Sequence, residues 1–247
     1  MRYYNNPAHP NNLSIVKMNA PRIALIHATP LAVQPVAEAF KQLWPQARLA
    51  NFLDDSLAPD LAEAGSLNAT MVTRMVGLAQ YAQTYGANGI LYTCSAFGPA
   101  IDEAKRVVPL PILKPNEAMF DEALDMCERL GGPRRIGLLT TFAPSSISMR
   151  EELLAAIRLR GLDVQVDGAC ADGAMAIYNA GDAATHDRMI FDSARALAAC
   201  DVVVLGQFSM ARAQKGVADV QGKPVLTSPE SAVRRLKATF ESTSTQG

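Results

Sequence analysis

Eight short apolar runs, most of them rich in β-branched residues, recur along the chain at 22–27, 48–53, 89–93, 110–113, 135–140, 162–166, 201–206 and 224–227. Their length and composition predict strands. The segments between them carry helical spacing. Residues 31–44 place Val33, Val36, Ala37, Phe40 and Leu43 on one stripe, and 67–85 is a longer helix. A helix begins near Pro99, and another carries Ala118, Phe120, Ala123, Leu124 and Cys127 on its apolar face. Residues 146–160 end at Gly161, a natural residue just past a helix; 185–200 start at Thr185, an N-cap candidate; and 229–242 follow the last strand. Strands alternating with helices predict an α/β fold, with parallel sheets covered by helices on both faces. Ligands of such sheets bind beyond the carboxyl ends of the strands.

The pattern occurs twice. Arg22-Ile-Ala-Leu-Ile-His and Arg135-Ile-Gly-Leu-Leu-Thr are 113 positions apart. The same offset places Leu49 on Leu162, Asp54 on Asp167, Ile90 to Tyr92 on Val203 to Leu205, Pro111-Ile-Leu on Pro224-Val-Leu, and Glu117 on Glu230. One gapless register implies two pseudo-symmetric α/β domains from an internal duplication, with the candidate site expected in the cleft between their strand ends. The expected domains are 21–117, joined by 224–242, and 118–223, after a polar arm over 1–20.

Composition narrows the partners. Hydrophobic residues make up 49% and charged residues 19%, an ordinary globular balance. A net charge of −1 provides no basic field for nucleic acid or an anionic membrane surface. No apolar run is long enough to span a bilayer. The opening MRYYNNPAHPNNLSIVKMNA lacks the apolar core of a secretory signal, so the cytoplasm is the expected compartment. Cys94, Cys127, Cys170 and Cys200 show neither paired nor metal-ligand spacing, so neither a disulfide frame nor a metal is expected.

Chemistry converges on the carboxyl edge of the strands. Cys94 ends the run GILYTC, and Gln207 is its mate under the repeat. Thr29, Thr93, Ser95 and Ala96 in the first copy, and Thr141, Ser145, Ser146 and Ser209 in the second, share that edge. Hydroxyls and backbone N–H groups before helix starts suit a small carboxylate. A thiol with a pKa of about 8.5 needs a helix N-terminus or hydrogen bonds to act at neutral pH, and the helix near Pro99 is the candidate. His27 ends the first strand as a hydrogen-bonding residue or an acid. Thr141 is either a substrate contact or a helix cap. His186 reads as solvent-facing, Asp54 and Asp167 as strand-end capping residues, and Cys127 and Cys200 as structural. Cys170 reads as a loop residue. Phe97, Phe142 and Phe208 hint at an apolar substituent on the ligand.

These residues resemble the Asp/Glu racemase superfamily, which includes amino-acid and hydantoin racemases, maleate isomerase and arylmalonate decarboxylase. YTCSA is similar to its first cysteine motif, and RIGLLTT to the strand that opens its second domain, where Thr141 matches a carboxylate-binding Thr. VVVLGQ resembles the family's Leu-Gly-Cys, and KPVLTSPESA its closing strand and helix. The resemblance spans roughly residues 21 to 240. It implies two pseudo-symmetric domains, a cofactor-independent isomerase acting at the carbon alpha to a carboxylate, and a homo-oligomer. The departure is Gln207, where the second thiol would stand. A carboxamide cannot transfer a proton as acid or base, and Ser209 is a poor substitute without an assisting base. Cys94 is therefore the expected catalytic group, with Ser209 and Gln207 beside it. A single-thiol decarboxylase of a substituted malonate is the alternative, and a catalytically silent carboxylate-binding protein is another.

Overall fold

A computed structural model describes residues 20–244. The polar arm lies outside the described residues except for Ala20. The first half runs β1 (Arg22–His27), α1 (Val33–Leu43), β2 (Arg48–Leu53), α2 (Leu57–Ala64), α3 (Ala69–Thr84), β3 (Gly89–Tyr92), α4 (Gly98–Val107), β4 (Ile112–Leu113) and α5 (Glu117–Leu130). The second runs β5 (Arg134–Thr140), α6 (Ala143–Arg160), β6 (Val164–Cys170), α7 (Ala174–Asn179), α8 (Ala183–Ala194), β7 (Val202–Leu205), α9 (Gln214–Gln221), β8 (Val225–Thr227) and α10 (Ser228–Ser244).

Two four-stranded parallel sheets result, ordered β2-β1-β3-β4 and β6-β5-β7-β8. The duplication inferred from the 113-residue offset is thus repeated in the strand order. It reaches individual hydrogen bonds. Arg22 N donates to Asn88 Oδ1 at 2.8 Å, and its mate Arg135 N donates to Asp201 Oδ2 at 2.8 Å. The inner strands β3 and β7 are buried at every residue, which explains their unbroken apolar runs. No helix among the described residues is long and apolar enough to cross a membrane.

The halves exchange their last helices. On α5, Met119, Phe120, Ala123 and Leu124 pack with Ile136 and Leu138 of the second sheet. On α10, Ala232, Val233 and Leu236 pack with Ile23, Leu25 and Phe40 of the first. Of the span 224–242, β8 pairs with β7 in the second sheet, and α10 joins the first half. The crossovers meet where Ser228 Oγ donates to Asn116 Oδ1 at 2.7 Å. Ion pairs Arg234–Glu122 and Arg235–Asp121 tie α10 to α5.

Four expectations need correction. The helix expected at 185 starts earlier, capped by Asp182, whose carboxylate accepts from Thr185 N at 2.9 Å; an Asp side chain ahead of the turn reaches the free N–H that Thr185 itself supplies. His186 is buried rather than solvent-facing, with Nδ1 2.9 Å from Asp187 Oδ1 and its ring against Tyr178. β6 runs on to Cys170, so Cys170 is a strand residue. Asp167 lies inside that strand, where it holds the Arg135 guanidinium and accepts from Cys200 Sγ. Burial and that carboxylate push the Cys200 thiol up to about 11, consistent with a structural residue.

Candidate active site

Cys94 stands just past β3, in extended backbone, immediately before a 3-10 turn over Ser95–Phe97 and the start of α4. It is half-buried and packs on the first core. Burial pushes the thiol above its ordinary range, and a hydrogen bond from the Ala96 N–H opposes this. Removal from water disfavours the charged thiolate, and the opposing influence is the backbone N–H of the turn before α4. The resting sulfur is therefore a thiol at neutral pH.

Thr93, next to it, turns inward. The His27 ring is buried between Thr93 Oγ1, 2.9 Å from Nδ1, and Asn51 Oδ1, 3.0 Å from Nε2. Asn51 Oδ1 accepts, so Nε2 carries the proton and Nδ1 accepts from Thr93. Burial holds the imidazole pKa below its ordinary value, with the Asn51 bond opposing. His27 is thus a neutral brace that orients Thr93. Asn51 escaped the sequence reading because its partner is decided by β2 lying beside β1.

This brace has a testable pH signature. Because the folded pKa is depressed, the unfolded chain binds the proton first. The stability contribution is present above about pH 6.5 and is lost as pH falls. His27→Gln should cost about 1–3 kcal/mol at pH 7.5, with the difference from the native protein shrinking at pH 5.5. Urea unfolding of both proteins at the two pH values checks it; a constant difference refutes it.

On the second sheet Gln207 follows Gly206 at the end of β7, at the head of a 3-10 turn over Phe208–Ala213. The backbone before it is closely approached: a Cβ at Gly206 would lie 2.7 Å from Met149 Sδ and 3.2 Å from Thr140 Cγ2, so those side chains would have to shift. Gln207 Oε1 accepts from Thr141 N at 2.9 Å and lies 3.4 Å from Thr141 Oγ1. Its Nε2 donates to Ser145 Oγ at 2.8 Å, and Ser145 Oγ donates to Phe142 O at 2.9 Å. Ser146 Oγ bonds Thr140 Oγ1 and reaches Phe142 O. The cap of α6 is Phe142, without a side-chain hydrogen bond, so Thr141 is not the cap.

Thr29 Oγ1 accepts from Leu31 N, capping the turn Pro30–Ala32. Ser209 is buried in the turn after Gln207. The two halves bring these loops together: the turn 95–97 packs against α6, and Pro30–Ala32 packs against Phe208–Ala213. The segments 28–31, 93–98, 140–148 and 206–211 consist entirely of uncharged residues. Of the three candidate aromatics, Phe97 and Phe208 are core residues of the first half, and Phe142 is exposed beside Thr141.

This is the architecture of a two-domain α/β protein with a thiol at the carboxyl edge of one sheet and a carboxamide at the equivalent edge of the other. The model of the Asp/Glu/Hydantoin racemase family matches residues 24–236, and the chain belongs to that family. Among solved structures, glutamate racemase RacE1 from Bacillus anthracis is similar at 14% identity and a TM-score of 0.68, over 91% of this chain and 83% of that one. Allantoin racemase from Klebsiella pneumoniae is similar at 17% identity and a TM-score of 0.69, over 90% and 88%. A variant of arylmalonate decarboxylase is similar at 20% identity and a TM-score of 0.57, over 87% and 93%. At these identities the likeness shows the fold. No curated protein matches the sequence significantly.

Proposed function

We propose that the protein is a cofactor-independent enzyme of racemase type that moves the proton on the carbon alpha to a small carboxylate, with Cys94 as the catalytic group. The observation that carries this reading is the position of Cys94. Its thiol sits at the end of an inner strand, before a turn that packs on α6 of the opposite half. The Cys94 thiolate takes the α-proton, the C–H electron pair passes into the carboxylate as an enediolate, and the thiol returns a proton to the same carbon. Neutral donors stabilise the developing charge: the hydroxyls of Thr29, Ser95 and Ser146, and the backbone N–H groups around Ala96 and Thr141. Ser209 lines the same edge and is too weak a base to replace a thiol.

The clamped Gln207 favours a second reading. With one thiol, the same site serves a lyase, in which a substituted malonate loses carbon dioxide and Cys94 protonates the resulting carbanion on one face. Proton NMR in D2O with pooled amino acids, hydantoins and substituted malonates tests both, with Cys94→Ala as control. Loss of an α-proton signal that depends on Cys94 supports proton transfer, and release of carbon dioxide supports the lyase. Equal behaviour of the native protein and the Cys94→Ala variant refutes a role for the thiol.

A further inference from the structure

We infer that Arg212 and Asp187 are positioning residues: their ion pair locks the turn Phe208–Ala213 to the second half, and through that turn sets Gln207 and Ser209 against the first half. The inference rests on the reading of the cleft as a proton-transfer site, and it concerns two residues that lie outside that cleft.

The turn needs a lock. It is a 3-10 stretch of six residues, and 3-10 geometry makes poorer hydrogen bonds that seldom run beyond four residues. Gln207, which heads it, makes no side-chain capping bond to it. The turn is also shared between the halves. Phe208 packs in the core of the first half with Leu25, Ala32 and Trp44. Met210 and Ala213 pack in the core of the second with Leu205 and Val217. Around it lie Pro30–Ala32, α1 and α10 of the first half, and α8 and α9 of the second. Apolar burial is non-directional, so a polar contact of fixed geometry is what gives such a turn its orientation.

Arg212 supplies that contact as the only charged residue of the turn. Its Nε donates to both carboxylate oxygens of Asp187 on α8, at 3.0 and 2.9 Å. Asp187 is held from its other side. His186 Nδ1 donates to Asp187 Oδ1 at 2.9 Å, and the buried His186 ring lies 4.7 Å from the Tyr178 ring of α7. The Arg212 guanidinium stands 5.9 Å from the centre of the same Tyr178 ring. An isolated surface ion pair contributes little. This one joins a network, and the Asp187 side chain is only 18% exposed. The pair ties the far end of a shared turn to α8, which belongs to the second half alone. Without it the turn is free to follow Phe208 and the first half, and Gln207 at its head is drawn off Thr141.

The test reads the site edge and the joint separately, on the full chain, in Arg212→Gln and Arg212→Lys. Hydrogen exchange of the Thr141 amide, which donates to Gln207 Oε1, reports the site edge, with the amides of β7 as the reference for overall stability. Acrylamide quenching of Trp44, the only tryptophan of the chain, reports the seat of Phe208 in the first core. Arg212→Gln should speed Thr141 exchange about fivefold relative to the β7 amides, the worth of one networked ion pair, and should raise the quenching of Trp44. Arg212→Lys keeps the charge and should restore most of both. Thr141 exchange that is unchanged, or that rises only in step with the β7 amides, overturns the inference and makes the pair a general stabiliser. Unchanged quenching of Trp44 in Arg212→Gln overturns it as well, since the turn then does not couple the halves. Neither readout requires turnover, so a failure of the proton-transfer reading is seen apart from a failure of the lock.

Discussion

Cys94→Ser should lose α-proton exchange by about a thousandfold with the fold intact, because a serine hydroxyl without an assisting base is a far weaker proton acceptor than a thiolate. The pH dependence of the native protein gives the same group a second signature. Burial raises the thiol pKa, with the Ala96 N–H opposing, so the active thiolate is a minor form at neutral pH. Below the pKa its fraction grows about tenfold per pH unit. The exchange rate, taken as kcat/KM, should therefore climb with unit slope from pH 7 up to the ordinary thiol value of about 8.5, without levelling before it. A plateau already reached near pH 7 would show that a thiolate is present at rest, or that another group moves the proton. Circular dichroism of Cys94→Ser separates lost chemistry from lost structure.

Gln207→Cys should convert one-faced exchange into inversion. Gln207 is the mate of Cys94 under the 113-residue repeat, at the head of the turn after β7. On the proposed reading a thiol there would face the substrate carbon from the side opposite Cys94, so that one thiol removes the proton while the other supplies one. With an enantiopure substrate in D2O the native protein should exchange the α-proton with retention. The Gln207→Cys variant should drive the same sample to a racemic mixture, read by chiral chromatography. Retention in both proteins would mean that the two positions do not address one carbon. The substitution also removes Gln207 from Thr141 and Ser145, leaving a buried N–H unpaired at a cost of about 1–3 kcal/mol, so thermal unfolding is measured alongside.

Much of this site was legible in the sequence because its framework is local. The apolar runs that became β3 and β7 are short, β-rich and followed by small polar residues, which placed Cys94 and Gln207 at strand ends. The repeat made them mates, and both sheets keep the same strand order. Fine placement failed where partners come from far along the chain. His186 looked polar and exposed beside a helix start, yet α7 and α8 fold Tyr178 and Asp187 around it. Thr93 and Thr141 looked like equivalent free donors. The first is turned to His27 and the second is held by Gln207, each across 66 residues.

The sequence by itself determined the eight strands, the duplication, the family and the strand-end cysteine, since hydrophobic periodicity and short motifs are properties of neighbouring residues; the short helices α2 and α7 were not legible in it. The tertiary structure decided the His27 brace, the exchange of α5 and α10 between halves, the burial that raises the Cys94 pKa, and the hydrogen bonds of Gln207 to Thr141 and Ser145. Each depends on which strand lies beside which and on how much water is excluded there. Both follow from packing the whole chain, so no local window of the sequence carries them.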